Sequence, residues 1–206
     1  MSAGQPPVPR YTAAVLAAIR AGERDGRLPA PSAEVLGSIF PFEPDVAVVA
    51  FDDPVLPEPA RHGESAADCA SCGRPDSDFA WTSAGWRLSS INAAEPMGVH
   101  AFMLTPREHA DLADLPADRV AELGPLMIAV EKAISTGLDG VGRVHINRWG
   151  DGGAHLHWWF IARPVGLLQL RGSQLPTWLD ILPPLPEQIV VADVARVVSA
   201  LEKLYG

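Results

Sequence analysis

Two pairs of residues in this chain have types and spacing suited to chemistry. Cys69-Ala-Ser-Cys72 places two thiols two residues apart, and Gly73 follows. Thiolates at this spacing can both reach one metal ion, and a following glycine eases the tight turn. His155-Leu-His157 places two imidazoles on alternate residues, directly after the turn Gly150-Asp-Gly-Gly153. If this stretch is a strand, His155, His157 and Trp159 share one face, while Leu156, Trp158 and Phe160 share the other and face a core. Paired imidazoles beside a glycine turn suit metal binding or proton and phosphoryl chemistry. A hairpin whose histidines are merely hydrogen-bonded is the plainer alternative. The cysteine pair suits zinc better than a redox dithiol, because Gly73 and Pro75 argue against a helix starting there. It supplies only two of the four ligands that a structural zinc site needs.

The elements that must position these residues follow from periodicity. Arg143 to Trp149 alternates polar and apolar residues and predicts a strand. The Gly150–Gly153 turn has glycines free to take positive φ, and His155 to Ala162 predicts the returning strand. Two further strands are predicted at 85–92 and 99–104. Val120, Leu123, Met127, Val130 and Ile134 recur at helical spacing and predict a long amphipathic helix over 118–134, kinked at Gly124-Pro125. A second amphipathic helix is predicted over Asp193 to Leu204, with Val194, Val197, Leu201 and Leu204 on one side. Tyr11 to Ala21 reads as a short helix, Ala33–Ile39 as a helical turn, Val46 to Phe51 as a strand, and Asp52 to Ser65 as linker. The fold class expected is α+β: an antiparallel sheet with a long packed helix, plus N- and C-terminal helical extensions. The divisions expected are 1–65, an N-terminal extension; 66–172, the central domain; and 173–206, a C-terminal extension.

At 206 residues the chain can bury a sizeable core, and its 48% hydrophobic content is ordinary for a globular protein. A formal net charge of −9 speaks against a nucleic-acid polymer as partner, since no broad basic surface is available to neutralise phosphates. One nucleotide in a local pocket remains compatible with it. No apolar run reaches transmembrane length, and Met1-Ser-Ala-Gly-Gln-Pro-Pro does not read as a signal peptide. A cytoplasmic location, with no membrane partner, is the resulting expectation.

From Cys69 to Pro164, about half the chain, the order of motifs resembles the histidine triad (HIT) superfamily of nucleotide hydrolases and transferases. The Cys-x-x-Cys knuckle comes first, then Pro106-Arg-Glu-His109 after a strand, then the long helix. An Asn- and Gly-containing turn leads to His155-x-His157 and Arg163. That register makes His155 the first triad position, His157 the middle one and Trp159 the third, where the family pattern has His. The resemblance implies zinc held by Cys69, Cys72, His109 and His155. It implies that His157 is a nucleophile toward the α-phosphate of a nucleotide conjugate. It places Asn147, Gly152, Gly153 and Trp159 at the nucleotide, and it admits a homodimer. The activity implied is that of a nucleotide phosphoramidate or anhydride hydrolase, or a nucleotidyltransferase. The alternative is a catalytically inactive nucleotide-binding or partner-binding zinc protein on the same scaffold. His100 and His145 are left as ordinary strand residues.

Overall fold

The computed structural model describes residues 20–21, 24–27, 52–179 and 182–205. The predicted helical turn at Ala33–Ile39, the strand at Val46 to Phe51 and nearly all of the helix at Tyr11 to Ala21 lie outside the described residues. The chain divides into two compact units, Met1–Ala60 and Arg61–Gly206. In the first, Arg20 pairs with Asp53. The second carries every residue singled out as a metal ligand, nucleophile or nucleotide contact.

The larger unit contains a five-stranded antiparallel sheet. Its strands are β1 (Trp81–Thr82), β2 (Trp86–Ser90), β3 (Ala101–Pro106), β4 (Val141–Asn147) and β5 (Trp158–Pro164). They lie in the order β1-β2-β3-β5-β4, so β5 is an inner strand, with Trp159 opposite Met103 on one side and Asn147 on the other. The α+β class read from the sequence is the one observed. The two-residue β1 was not anticipated, being too short for a period-2 signal. The helices are α1 (Ala70–Gly73), α2 (Ala117–Gly137), α3 (Gln174–Leu179) and α4 (Glu187–Tyr205).

One face of the sheet packs against α2 and α4. Leu88, Phe102, Leu104, Leu156 and Phe160 meet Leu126, Val130 and Ile134 of α2 and Val197 and Leu201 of α4 in one core. The other face is covered by a smaller cluster in which Val99, Ala101 and Ile161 meet Leu170 and Leu175, with Trp159 and Trp178 at its edge. The period-2 reading of the returning segment holds: Leu156, Trp158 and Phe160 face the helices, and Trp159 and Ile161 face away.

Three details differ from expectation. Helix α2 runs unbroken through Gly124-Pro125, and its buried stripe is Leu126, Ala129, Val130, Ala133 and Ile134. Val120, in the first turn, is 56% exposed. On α4 the buried residues are Val190, Val197 and Leu201, while Leu204 lies on the exposed flank. In addition, α4 is integral to the core, as its crossing with α2 shows. A Cβ on Gly137 would come within 2.8 Å of the Val197 backbone, so glycine permits the close approach. His100 Nε2 donates to the Asp193 carboxylate at 2.6 Å and ties α4 to the start of β3.

Leu201 is fully buried. Leu201→Ala is therefore expected to destabilise this unit by about 2–5 kcal/mol, read as a lower urea midpoint with an unchanged slope. A loss under about 0.5 kcal/mol would instead mark α4 as a surface appendage.

Candidate functional site

The site forms where the chain leaving β3 meets the chain entering β5. Strand β5 begins at Trp158, so His155 and His157 precede the ladder instead of lying within it as the alternation suggested. The approach is fixed by the Leu156 amide, which donates to the Ala110 carbonyl at 2.8 Å. That bond brings His109 beside His155, with ring centroids 5.4 Å apart and planes at 79°.

The cysteine knuckle reaches the same point. Contrary to expectation, a helical turn does start after Cys69: Ala70–Gly73 forms α1, a single turn ended ahead of Pro75. The Arg87 guanidinium donates to the Ser71 carbonyl at 3.4 Å and to Asp76 at 3.2 Å, anchoring the knuckle to β2. Arg107 makes a two-pronged contact with the same Asp76 carboxylate, at 2.9 and 2.7 Å.

Cys69, Cys72, His109 and His155 converge so that one donor atom from each lies within 4.8 Å of the others. Cys69 Sγ and His155 Nδ1 are 3.4 Å apart, as are Cys72 Sγ and His109 Nδ1, and Cys72 Sγ and His155 Nδ1. Bonds of about 2.3 Å to sulfur and about 2.0 Å to nitrogen put tetrahedral neighbours roughly 3.5 Å apart, so the spacing fits a Cys₂His₂ metal site. His155 is oriented for it: Nε2 donates to the Pro106 carbonyl at 2.9 Å, which leaves the Nδ1 lone pair for a cation. Burial, more than its neighbours, lowers the His155 pKa and favours the neutral ring that a ligand must be. Burial, followed by the hydrogen bond and charge of Cys69, pushes the Cys72 thiol up to about 11 in the metal-free chain. A divalent cation would reverse that preference, since coordinating thiols lose their protons.

His157 lies on the rim of this cluster. Its Nδ1 donates to the His155 carbonyl at 2.9 Å, and its Nε2 faces the Trp149 carbonyl at 2.7 Å. Each contact is a hydrogen bond only if the nitrogen carries a proton, so both together need the doubly protonated ring. A cavity of about 430 Å³ opens beside it, lined by His157, His155, Gly153, Thr105, Met103 and His62 among others. The Thr105 hydroxyl is buried there with no hydrogen-bond partner among the described residues.

The other residues read from the sequence fall around this cavity. Gly153 lines it, and a Cβ there would lie 3.6 Å from His157 Cε1. Gly152 presents its carbonyl to the His62 amide at 2.9 Å. Gly150, Gly152 and Gly153 do not take positive φ, so the turn does not use the freedom expected of it. Asn147 and Trp159 are cross-strand partners beyond the cavity lining. Trp159 packs edge-on against Trp149, ring centroids 5.8 Å apart at 65°, and Trp149 is 40% exposed. His145 sits in β4, its pKa lowered by burial and then by the Arg163 charge.

Sequence reasoning missed the segment Arg61-His62-Gly63, read as linker. The His62 carbonyl accepts from the Ala154 amide at 3.0 Å, completing a parallel bridge between His62 and Gly153. Arg61 donates to Asp111 at 2.7 Å and to the Gly150 carbonyl at 3.2 Å, and Arg148 pairs with the same Asp111. Burial would raise the Asp111 pKa, but hydrogen bonds from Arg61, the Leu112 amide and Arg148 outweigh it and bring it to about 2. Gly63 takes φ +69°, and a Cβ there would lie 3.0 Å from Cys69 Cα, so the segment lies tight against the knuckle.

No protein-family profile and no curated protein matches this chain. Solved structures do. A histidine triad protein from Bradyrhizobium japonicum is similar at 21% identity and a TM-score of 0.48, over 62% of this chain and 90% of that one. One from Marinobacter aquaeolei VT8 is similar at 20% identity and 0.48, over 62% and 92%. A zinc-bound histidine triad family protein from Mycobacterium smegmatis is similar at 16% identity and 0.48, over 68% and 97%. All three are histidine triad proteins, and the one from Mycobacterium smegmatis has zinc bound. Among the described residues no helix is long and apolar enough to cross a membrane.

Proposed function

We propose that the chain binds a nucleotide conjugate and transfers its nucleotidyl group through His157, as a hydrolase or nucleotidyltransferase. The observation that carries this reading is the His157 imidazole, held by the His155 carbonyl at the edge of a cavity and one residue removed from the metal cluster. Cys69, Cys72, His109 and His155 would hold one zinc ion. When bound, zinc would fill a closed four-ligand site and act structurally, tying the knuckle to the strand that carries His157.

The His155 carbonyl keeps the proton on Nδ1, so the lone pair for attack must be on Nε2. Nε2 must first part from the Trp149 carbonyl and give up to solvent the proton that this contact requires. It then attacks the α-phosphorus, and the electron pair of the breaking bond leaves with the departing amine or oxygen. Water, or an acceptor hydroxyl, attacks phosphorus in the second step and returns the bonding pair to His157. The amides of Gly152 and Gly153 donate to nothing among the described residues, which supports a role for them in holding phosphate oxygens. Trp149 and Trp159 offer an aromatic wall for the nucleoside.

A second reading, nucleotide binding without turnover, is favoured by the Trp149 carbonyl that caps Nε2. Both readings require a nucleotide site, and calorimetric titration with AMP, GMP, UMP and CMP tests it. At least one is expected to bind at sub-millimolar concentration and to change tryptophan fluorescence. Absence of heat with all four at millimolar concentration would reject both.

A further inference from the structure

We propose that His62 is a second imidazole of this site, the one that gives its proton to the leaving group. The inference rests on the nucleotidyl-transfer reading of His157. The backbone places it. His62 and Gly153 are partners in a parallel bridge, and laterally paired residues project their side chains to the same face. At Gly153 that face is the one toward His157, since a Cβ there would meet the His157 ring at 3.6–3.8 Å. His62 and His157 accordingly share one side of the turn and line one cavity.

Elimination leads to the same residue. The cavity's other ionisable side chains include Cys69 and His155, which belong to the metal cluster. Asp68 also lines it, but its carboxylate accepts the Ser65 hydroxyl at 3.0 Å, and an ionised carboxylate only accepts. Trp159 has no proton to give except from its indole nitrogen. His62 is exposed at the cavity rim, and its ring makes no hydrogen bond among the described residues. The unpartnered Thr105 hydroxyl in the same wall marks the cavity as one that takes a polar ligand. The segment is also held: Arg61 bridges Asp111 and the Gly150 carbonyl, and Gly63 seats against Cys69.

The step balances. For a nucleoside phosphoramidate, His157 Nε2 forms a bond to phosphorus as the P–N bond breaks. That electron pair goes to the leaving nitrogen, and the His62 imidazolium supplies the proton. In the second step water bonds to phosphorus, its proton returns to His62, and the pair of the P–N bond to His157 returns to His157.

The test compares leaving groups. The intact protein, with its metal, is assayed on a nucleoside phosphoramidate with an alkylamine leaving group and on a 4-nitrophenyl nucleotide ester, whose leaving group departs as a stable anion. His62→Ala and His62→Gln are expected to lower turnover of the phosphoramidate by about 10²–10⁴-fold and that of the ester far less, with metal content and melting temperature as in wild type. Equal losses on both substrates, or no loss on the phosphoramidate, would overturn the role of His62 while leaving His157 its own. A wild-type protein that turns over neither substrate would overturn the underlying reading, and the role of His62 with it.

Discussion

Cys69→Ser is expected to strip the chain of its metal and to lower its melting temperature by roughly 8–16 °C. The wild type is expected to hold about one zinc per chain. Cys69 is 7% exposed and His155 5%, so losing one ligand leaves the others packed together without the cation that their geometry anticipates. Metal binding to such a set is coupled to folding, and loss of a structural metal belongs with the substitutions that cost about 4 kcal/mol or more. At about 2–4 °C per kcal/mol for a unit of this size, that cost gives the stated shift. His109→Ala should act in the same direction, because its partner Cys72 would keep its proton. Elemental analysis and scanning calorimetry decide the matter. Unaltered metal content with an unaltered melting temperature in Cys69→Ser would contradict a four-ligand site.

Much of this site was legible because its parts obey short-range rules. The period of two on either side of Phe160 separates the face that meets α2 and α4 from the face that carries Trp159 and Ile161. Cys69, Cys72, His109 and His155 were gathered by the order of motifs, and the fold brings them within 4.8 Å. What was not legible depends on partners distant in sequence. His62 is a lone histidine in a Pro- and charge-rich stretch, and its placement comes from backbone bonds to Gly152 and Ala154, which carry no side-chain signature. The capping of His157 by the Trp149 carbonyl is likewise a backbone contact. The stripe on α4 announced that one face would be buried but could not say that α2 would bury it. Only Gly137 under Val197 shows how closely the two helices cross.

His157→Ala is expected to abolish turnover while leaving metal and fold intact, because His157 is not among the converging ligands. Its Nδ1 contact with the His155 carbonyl is local, so the substitution disturbs no distant packing. The expected loss exceeds the 10²–10⁴-fold assigned to a proton donor, since without the imidazole no covalent intermediate forms. Trp159→His should place an imidazole at the third alternate position, and turnover of a nucleoside phosphoramidate should rise. Equal background rates in wild type, His157→Ala and Trp159→His would mean that the scaffold binds without reacting.

The central claim is that His157 carries the nucleotidyl group. It is tested most directly by mixing the metal-loaded protein with a nucleoside phosphoramidate, quenching in alkali and measuring the intact and peptide masses. One added nucleoside monophosphate is expected on wild type, located at His157 and missing from His157→Ala. No adduct on wild type, or an adduct that persists in His157→Ala, would contradict it.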